Sequence, residues 1–525
     1  MTRLLPSILG AFLLLSACGQ KAERNPNTFV ECSIGDARRL NPVIANDSAS
    51  GTINDQIFSG LVKYDKDIKL IGDLAERWII SNNGKTITFH LRKNVKWHDG
   101  AAFTADDCLF TYQKFLDPAV ATPYSSSYMD VAKAETSGKY IFRVTYKEPF
   151  SPALESWAMG IIPKHLLEGK DINTDPFNRH PTGTGPYKFK EWISGQKIVL
   201  DANPEYYEGK PNIDQFIYRI IPDSSTMFQE LLSGGVDFMG LNPLQYLRKS
   251  ETRRIKENYR KFRYPANAFT YMGYNLSSQL FSDIAVRQAL SYAINRQSII
   301  DGIVLGIGRP CTGPYAQVSW AYNPNARSYA YDPGQASRML AAAGWTDSNA
   351  DGILEKNGKP FRFTILTNQG NTERIRAAEI IQQNLKAVGI DANIRVMEWQ
   401  AFLEQIDKRS FDAIILGWSM SRDPDLYDIW HSSKTKKGEY NFIGYKNEEV
   451  DRLLVEGRRV FDPEKRKKIY YRIHEILAQE QPYAFLYAPD ATPIVHKRFK
   501  GIEPAPLGIT YNFIKWTVPA DRMAW

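Results

Sequence analysis

The stretch FRFTILTNQGNTERIRAAEIIQQNLKAVGIDANIRV, residues 361–396, decides the fold class of this chain. Its beginning, Phe361 to Leu366, predicts a strand, and Ala377 to Val388 carries the apolar spacing of an amphipathic helix. Ile390 to Val396 and then Asp412 to Leu416 predict two more strands. A strand, a helix and a strand in this order are the signature of a βαβ unit, so we predict a parallel α/β lobe here.

Segments outside this stretch predict further strands and a helix. Thr28 to Ser33 predicts an opening strand, and Lys85 to Lys93 alternates apolar and polar residues as a half-buried strand does. Lys139 to Tyr146 repeats the alternation, so these three segments predict a first mixed lobe. Apolar residues recur at helical spacing from Ala285 to Ile300, which predicts a helix over that range.

The composition excludes several classes of protein. At 525 residues the chain is about three times the usual domain length, which predicts two or three units. Charged residues at 24% and hydrophobic residues at 43% are typical of chains that fold in water, and argue against disorder or many membrane spans. The net charge is +8, but no basic stripe with interleaved aromatics occurs, so we predict no nucleic-acid partner.

The first residues predict export. The apolar run from Leu4 to Leu15 is too short to span a membrane, but it has the length of a signal-peptide core. It ends in Leu15-Ser16-Ala17-Cys18, which resembles the bacterial lipobox, in which the Cys thiol accepts diacylglycerol. The alternative is an ordinary secretory signal in which Cys18 is incidental.

These residues also predict where the protein is held. We expect 1–18 to be a lipoprotein signal peptide ending at Cys18, and 19–28 to be a flexible tether. The chain would then be anchored by lipid in the cell envelope, on the periplasmic or cell-surface side. Gly19 and Gln20 follow the Cys, rather than Asp, which in a Gram-negative cell favours the outer membrane and leaves the cytoplasmic membrane as the alternative.

Motifs of enzymes and of cofactor sites are incomplete in this sequence. Gly84-Lys85-Thr86 ends like a phosphate-binding loop, but Ile79 stands where its first Gly must be, and neither Gly-x-Ser-x-Gly nor His-Glu-x-x-His occurs. The seven histidines form no local ligand pair. We therefore predict no enzymatic activity and no cofactor.

Cysteines and acidic loops give little support for a metal. Apart from Cys18 the chain has Cys32, Cys108 and Cys311, an odd number without C-x-x-C spacing, so at least one thiol has no intramolecular partner. The run from Asp347 to Gly352 copies the first half of a calcium loop, but Gly358 stands where the closing Glu belongs. We predict no metal site, with an Asp-Gly turn as the simpler interpretation and calcium as the alternative.

Long motifs along the chain resemble a known family. They are Asp73-Leu74-Ala75-Glu76-Arg77-Trp78, Gly84-Lys85-Thr86, Thr88-Phe89-His90-Leu91-Arg92, Trp97-His98-Asp99-Gly100, Thr104-Ala105-Asp106-Asp107, Gly183-Thr184-Gly185-Pro186-Tyr187, Val286 to Arg296, Tyr331-Asp332-Pro333 and Ala343-Gly344-Trp345. Together they resemble family 5 of the extracellular solute-binding proteins, which holds the dipeptide-, oligopeptide- and nickel-binding proteins of ABC importers. The resemblance runs from about residue 30 to the C-terminus.

The resemblance implies an α/β, two-lobed fold of the periplasmic-binding-protein type (type II, hinge-linked), with an extra subdomain on the first lobe. The implied bounds are 29–48, 181–268 and 490–525 for the first lobe, 49–180 for the extra subdomain and 269–489 for the second lobe. Ligand binding by closure of the lobes, ABC transporter permease subunits as partners and a monomeric state are also implied.

The family's anchoring aspartate is replaced in this chain. Peptide-binding relatives hold the peptide's ammonium group with an aspartate in a Gly-Trp-x-x-Asp stretch, and here Gly417-Trp418 leads to Ser421 instead. Asp423 is a candidate substitute anchor, with a turn former before Pro424 as the alternative. Arg422 is a candidate partner for an acidic ligand group, with a solvated loop charge as the alternative.

Four more residues are candidates for ligand contacts by this resemblance. Trp399 and Trp418 match cleft tryptophans of the relatives and would supply apolar walls, with core packing as the alternative. Tyr271 and Asn275, where the chain would enter the second lobe, are candidates for contacting the ligand backbone.

We therefore expect a substrate-binding lipoprotein of an ABC importer that captures a small solute, most simply a short peptide, and delivers it to a membrane permease. The replacement by Ser421 motivates a non-peptide ligand as the alternative, such as a metal chelate, an opine or an oligosaccharide. An envelope enzyme or chaperone that reuses the fold is the alternative from another class.

Overall fold

The computed structural model describes residues 25–506 and 508–522. The predicted signal peptide, Cys18 and the first part of the predicted tether lie outside these residues. Within them, no helix has both the length and the apolar character needed to cross a membrane.

A mixed sheet of seven strands forms the body of the first lobe. In spatial order the strands are β12 (Tyr259–Lys261), β22 (Pro493–His496), β11 (Phe238–Gly240), β1 (Thr28–Ser33), β10 (Gln215–Ile220), β9 (Lys197–Ala202) and β8 (Tyr187–Ile193). The opening strand β1 has the predicted bounds and runs parallel to β10, with Thr28 opposite Gln215. It buries Phe29 on one face and Val30 on the other, so both faces of the sheet are covered.

A smaller antiparallel sheet belongs to the segment between β1 and β8. Its strands, in spatial order, are β4 (Ala75–Ser81), β5 (Thr86–Leu91), β7 (Ile141–Tyr146) and β6 (Val131–Thr136), with a separate hairpin of β2 (Val62–Tyr64) and β3 (Leu70–Gly72). The predicted strands over 85–93 and 139–146 correspond to β5 and β7. The tight turn from β4 to β5 has positive φ at Asn82, Asn83 and Gly84, residue types that tolerate this conformation.

The second lobe holds the other large sheet. Its spatial order is β13 (Tyr264–Pro265), β21 (Tyr483–Ala491), β14 (Ala268–Tyr274), β20 (Ala413–Ser419), β18 (Arg362–Asn368) and β19 (Asp391–Met397), with β15 (Gly308–Pro310) also on β21 and a hairpin of β16 (Glu355–Lys356) and β17 (Lys359–Pro360) beside it. Strand β18 runs parallel to both β19 and β20. The predicted parallel α/β unit is confirmed.

Helices cover these sheets. They are α1 (Ser48–Ile57), α2 (Ala105–Leu116), α3 (Ala153–Ser156), α4 (Lys164–Leu167), α5 (Ser224–Ser233), α6 (Arg253–Asn258), α7 (Ile284–Ala293), α8 (Arg296–Ile299), α9 (Pro333–Ala342), α10 (Thr372–Lys386), α11 (Trp399–Lys408), α12 (Tyr427–Trp430), α13 (Glu448–Arg459) and α14 (Pro463–Glu480). Single turns of 3₁₀ or π helix lie at Ser125–Ser127, Pro176–Asn178, Gln245–Lys249, Ile300–Val304, Phe513–Lys515 and Ala520–Arg522.

The helix predicted over 285–300 is interrupted in the structure. Helix α7 ends at Ala293 and α8 begins at Arg296, because the side chain of Asn295 accepts a hydrogen bond from Ser298 N–H at 3.0 Å and caps the second helix. The prediction of apolar periodicity held on both sides of this break, but the cap divides the helix.

Two short segments connect the sheets of the first and second lobes. Strand β21 is followed by Thr492 alone before β22 begins, and β12 leads within a few residues into β13. Two such crossover strands suit a hinge. The fold is therefore α/β with two lobes, and we propose the bounds given by the sequence, under which the small sheet β4 to β7 forms the extra subdomain.

Candidate ligand-binding site

A cavity of about 360 Å³, called the central cavity here, lies between the two lobes, and its volume suits a small-ligand site. The first lobe and extra subdomain contribute Arg38, Asn46, Asp47, Ser48 and Tyr124. The second lobe and the crossover strands contribute Ala268, Phe269, Thr270, Arg374, Trp399, Leu403, Ile406, Asp407, Leu416, Gly417, Trp418, Ser419, Gly438, Glu439, Tyr440, Phe442 and Pro489.

The parallel strands of the second lobe position the cavity residues that this lobe contributes. Strands β18 and β20 run in the same direction, so their carboxyl ends meet at one edge of the sheet, which is where open α/β sheets bind ligands. Gly417, Trp418 and Ser419 end β20 at that edge. Helix α10 starts just after β18 and brings Arg374 to the cavity, while α11 starts with Trp399.

The two predicted cleft tryptophans both line the central cavity. Trp399 is the first residue of α11, held by Glu398, whose carboxylate accepts a hydrogen bond from Gln400 N–H at 2.8 Å. Trp418 stacks on Phe442 with ring centroids 5.9 Å apart. Together they give the cavity two broad apolar surfaces of the kind that pack against a ligand.

Direct contacts close the cleft between the lobes. Arg38 of the first lobe pairs with Asp407 of the second at 2.6 Å. The hydroxyl of Tyr440 donates a hydrogen bond to the hydroxyl of Tyr124 at 3.0 Å, from the second lobe to the extra subdomain. The cavity is therefore enclosed from both sides, as in the closed form of a hinged binding protein.

Burial shifts the acid–base equilibria of two groups at this site. Burial raises the pKa of Asp47, although hydrogen bonds from the hydroxyl and N–H of Ser50, at 2.6 and 2.9 Å, favour its ionised form. Burial lowers the pKa of Arg374, which donates from Nη1 to the Oδ1 of Asn368 at 2.9 Å. The cavity thus holds a desolvated acid on one lobe and a desolvated base on the other.

Ser421, which stands in place of the anchoring aspartate, lies outside the lining of the central cavity. Its hydroxyl donates a hydrogen bond to the carbonyl of Asp423 at 2.8 Å, and its own carbonyl accepts one from Asn267 Nδ2 at 2.8 Å. These contacts shape the loop that follows β20.

The candidate substitute anchor Asp423 has a partner within the protein. Both of its carboxylate oxygens are bound by the guanidinium of Arg466, at 2.6 and 2.7 Å. Such a bidentate pair occupies the oxygens that a ligand ammonium group would use. Arg422, next to it, donates from Nη2 to the carbonyl of Pro506 at 3.5 Å.

A second cavity, of about 510 Å³, lies beside this loop. It is lined by Tyr64, Ile68, Glu155, Tyr264, Pro265, Asn267, Val318, Ser319, Trp320, Arg422, Asp423, Arg466 and Pro506. Glu155 of the extra subdomain accepts a hydrogen bond from Asp423 N–H at 3.4 Å. Burial raises the pKa of Glu155 to about 7, and the nearby Asp423 carboxylate adds to the rise.

Tyr271 and Asn275 lie away from both cavities. Tyr271 is fully buried, and its ring stacks on Tyr483 with centroids 3.8 Å apart. The Nδ2 of Asn275 donates to the carbonyl of Phe411 at 2.9 Å, and its Oδ1 accepts from Ser277 N–H at 3.1 Å. Both side chains have structural partners inside the second lobe.

Sequence reasoning missed several residues of the central cavity, Arg374 above all. The missed signal was positional: polar residues that follow a parallel strand collect at the carboxyl edge of the sheet, and Arg374 comes six residues after the end of β18. Asp47, Tyr124 and Tyr440 carried no comparable signal, because they come from loops and helix ends that only tertiary folding brings together.

The residues that the structure describes give little support for a metal site or a disulfide. No group of three or more His, Cys, Asp or Glu side chains is placed to hold a metal there. In the calcium-like loop, Asp347 accepts hydrogen bonds from the backbone of Asp351 and Gly352, as a turn former does. Cys32, Cys108 and Cys311 are all buried free thiols.

Comparison with known proteins gives a family match over most of the chain. The family described as bacterial extracellular solute-binding proteins, family 5 Middle, matches residues 69–440. This is the family whose motifs the sequence resembles.

Individual relatives agree with this match. The oligopeptide-binding protein AppA of Bacillus subtilis (strain 168) is 36% identical over 96% of both chains. A solved structure of Bacillus subtilis AppA in complex with a nonapeptide covers 94% of this chain and 99% of the AppA chain, with 35% identity and a TM-score of 0.90. The structure of NikZ from Campylobacter jejuni, solved with Ni(L-His), covers 94% of this chain and 99% of the NikZ chain, with 30% identity and a TM-score of 0.85.

Proposed function

Because this chain belongs to the bacterial extracellular solute-binding proteins of family 5, we propose that it captures a short peptide by closure of its two lobes. It is a solute-binding protein and not an enzyme, as the sequence predicted, and its family acts outside the cytoplasm. The ligand, the lipid anchor and the delivery to a permease are the parts that we add as a proposal.

The single observation that carries the proposal is the central cavity, which both lobes enclose. Trp399 and Trp418 give it apolar walls, and Thr270 and Ser419 add polar groups beside them. A ligand that touches both lobes at once binds only the closed form, so its binding energy shifts the population toward closure.

A peptide is the ligand that the comparisons favour. The relative solved with a nonapeptide shares 35% of its residues with this chain and covers nearly all of it. A peptide also suits the composition of the wall, because apolar side chains would pack on the tryptophans while polar groups hold the peptide backbone.

A titration tests peptide capture. Calorimetry with a pool of di- to pentapeptides should show saturable binding, and small-angle scattering should show a smaller radius of gyration with the pool present. Absence of binding across the pool, and across a second pool of hexa- to nonapeptides, would contradict the proposal.

We also propose that the chain is a lipoprotein anchored at Cys18 that delivers its ligand, as a monomer, to the permease subunits of an ABC importer. Labelled palmitate fed to expressing cells should enter the wild-type chain and not the Cys18→Ser variant. Equal labelling of both would exclude this anchor. Import of the ligand should be lost when the gene is deleted and restored by the wild-type chain.

A metal chelate is the second candidate ligand, and a specific observation favours it. NikZ, solved with Ni(L-His), is 30% identical to this chain, and Ser421 replaces the aspartate that would hold a peptide ammonium group. Native mass spectrometry of the protein with its co-purified ligand separates the two candidates by mass and isotope pattern.

A further inference from the structure

Most of the net positive charge of the chain lies in one short segment of the first lobe. Residues 248–263 contain eight Lys or Arg residues and two Glu residues, and the net charge of the whole chain is +8. The segment covers the end of the π turn Gln245–Lys249, helix α6 and strand β12. Seven of its eight cationic side chains are exposed, and we call these the basic patch: Arg248, Lys249, Arg253, Arg254, Lys256, Arg260 and Arg263.

Contacts within the first lobe hold the three parts of this segment together. The ammonium group of Lys261 in β12 donates to the carbonyl of Tyr246 and to the hydroxyl of Ser250, both at 2.9 Å, and it pairs with Glu251. Helix α6 has six residues, so it is about 9 Å long. The charges on it therefore lie roughly one Debye length apart, which is about 8 Å at physiological ionic strength, and their fields add.

Carboxylates neutralise only part of the basic patch. The paired cations are Arg253 with Glu257 at 2.6 Å, Lys256 with Glu251 at 3.0 Å and Arg263 with Asp490 at 2.7 Å. The other cations have no carboxylate at ion-pair distance among the residues that the structure describes, and they are Arg248, Lys249, Arg254 and Arg260. Four exposed positive charges are thus left for a partner outside the chain.

The surroundings of the patch favour an extended anionic surface over a nucleic acid. Tyr259 is buried in one core of the first lobe, and the ring of Phe262 packs against the other. The patch therefore lacks the exposed rings on which unpaired bases stack. From the second lobe, Glu373 and Arg376 line a cavity beside the patch, so this lobe adds no net negative charge there.

The chain enters the first lobe beside the basic patch. The carbonyl of Pro26 accepts a hydrogen bond from Nη1 of Arg498 at 2.7 Å. The preceding residue, Lys497, donates from its N–H to the carbonyl of Asn258, at the end of helix α6, at 2.7 Å. Pro26 follows Cys18 by eight residues, which span at most about 28 Å. A lipid on Cys18 would therefore keep a bilayer within reach of this face.

We propose that the basic patch binds an anionic phospholipid surface next to the lipid tether. The inference goes beyond peptide capture, and it uses the proposed lipid anchor only to place a membrane beside the patch. Lipid phosphates accept charge-assisted hydrogen bonds from guanidinium and ammonium groups. Each Lys or Arg near an anionic bilayer raises the partition coefficient about fivefold, so four unpaired charges produce a strong, salt-sensitive contact.

Vesicle sedimentation tests the proposal. The protein is the chain from Gly19 to Trp525, which holds every described residue of both lobes and lacks Cys18, so that no acyl chain contributes to binding. The probes are vesicles of pure phosphatidylcholine and vesicles of equal parts phosphatidylcholine and phosphatidylglycerol. The chain should bind the anionic vesicles at least tenfold more tightly. The difference should vanish at about 1 M salt, where the Debye length falls to about 3 Å.

Two variants with the same loss of charge identify the surface responsible. The patch variant combines Arg248→Gln, Lys249→Gln, Arg254→Gln and Arg260→Gln, and it should bind anionic vesicles at least tenfold more weakly than the wild-type chain. The control combines Arg77→Gln, Lys139→Gln, Arg395→Gln and Arg459→Gln, which are exposed cations of the extra subdomain and the second lobe. It should bind within threefold of the wild-type chain. Both variants should keep the wild-type unfolding temperature, because the substituted side chains are exposed.

The outcomes decide the proposal independently of peptide capture. Equal binding of the two kinds of vesicle by the wild-type chain, or equal losses in the two variants, would overturn the patch as a lipid-binding surface. Tighter binding of a single-stranded oligonucleotide than of the anionic vesicles would overturn it as well, and would assign the patch to a nucleic acid. Peptide capture and the lipid anchor are tested separately, by the peptide titration and by palmitate labelling of Cys18→Ser.

Discussion

A Cβ atom on Gly35 would lie 2.6 Å from Cδ1 of Trp399, so the indole ring of the second lobe rests against bare backbone of the first. Beside this contact, Gln400 Nε2 donates to the carbonyl of Asp36 at 2.9 Å. The closed cleft therefore requires a residue without a side chain at position 35, and the tryptophan that lines the cavity is also a contact between the lobes.

The first prediction concerns closure. Gly35→Ala places a methyl group against the ring of Trp399, and Gly35→Val adds two more, so both should disfavour the closed form in that order. We expect the valine variant to bind the peptide pool at least tenfold more weakly. Small-angle scattering should show little ligand-induced contraction of this variant.

Gly51→Ala is the control for this prediction. Gly51 lies in helix α1, and no atom lies within 4 Å of the Cβ that the substitution would add. The variant should keep wild-type affinity and gain about 0.5–1 kcal/mol in free energy of unfolding, since Ala favours a helix over Gly. Unchanged affinity in Gly35→Val would show that closure does not press Trp399 on the first lobe.

The sequence predicted the fold of the second lobe because its pattern is local. The strand from Phe361, the helix that stops before Gly389 and the strand after it carry their own periodicity and stop signal, and β18, α10 and β19 formed within a few residues of those bounds. The break at Asn295 was missed, because a cap inside an apolar pattern is decided by a single side chain.

The site was only partly predictable. Trp399 and Trp418 could be predicted as cavity residues because both stand in motifs that match the family. Tyr271 was expected to contact the ligand, but its ring packs in the core against Tyr483. The register of its strand decides which face a side chain takes, and the motif did not reveal that register. Arg374 and Asp47 line the same cavity although more than 300 residues separate them in sequence. Such an approach depends on hinge geometry, which no local pattern records.

The second prediction concerns the buried pair of Asp423 and Arg466. Asp423→Asn leaves the guanidinium buried without its charge partner, so we expect the free energy of unfolding to fall by about 3 kcal/mol. Chemical denaturation measures this loss. Peptide affinity should change less than threefold, because the carboxylate is occupied by Arg466.

Arg452→Met is the control for this pair. Arg452 forms an exposed ion pair with Glu456 on helix α13 at 3.1 Å, and its removal should cost no more than about 0.5 kcal/mol. A large loss of affinity in Asp423→Asn, with stability unchanged, would instead make Asp423 the ammonium anchor.

The third prediction is a pH dependence at Glu155. Its pKa is about 7 in the folded protein and 4.5 in its reference state, so between these values the folded state holds a proton that the unfolded state has released. The contribution of Glu155 to stability therefore falls as pH rises from 5 to 8. Tyr64 and Arg466 favour its ionised form, and Asp423 opposes it.

Glu155→Gln removes this titration. Relative to the wild-type protein, the variant should gain free energy of unfolding between pH 5 and pH 8, by about 1–3 kcal/mol. Denaturation curves at both pH values measure the difference. Glu148→Gln is the control, since that carboxylate is exposed beside Lys85. A gap between variant and wild type that does not change with pH would contradict the prediction.

The last prediction concerns the extra subdomain as a latch on the second lobe. Arg458 of helix α13 pairs with Asp425 at 2.7 Å and extends to the subdomain, where Nη2 donates to the hydroxyl of Ser126 at 2.9 Å and Nη1 to its carbonyl at 3.2 Å. These bonds cross from one unit to the other, so they form only when the cleft is closed. Because Ser126 is buried in this contact, Ser126→Ala leaves a guanidinium nitrogen without its acceptor and weakens the closed form by about 1 kcal/mol. By population shift, peptide affinity should fall about fivefold, while the free energy of unfolding of each lobe changes little.

Ser127→Ala is the matched control, since the adjacent hydroxyl has no hydrogen-bond partner among the residues that the structure describes. Equal affinity of the two variants would show that the subdomain takes no part in closure, whereas a loss confined to Ser126→Ala makes it part of the closing mechanism.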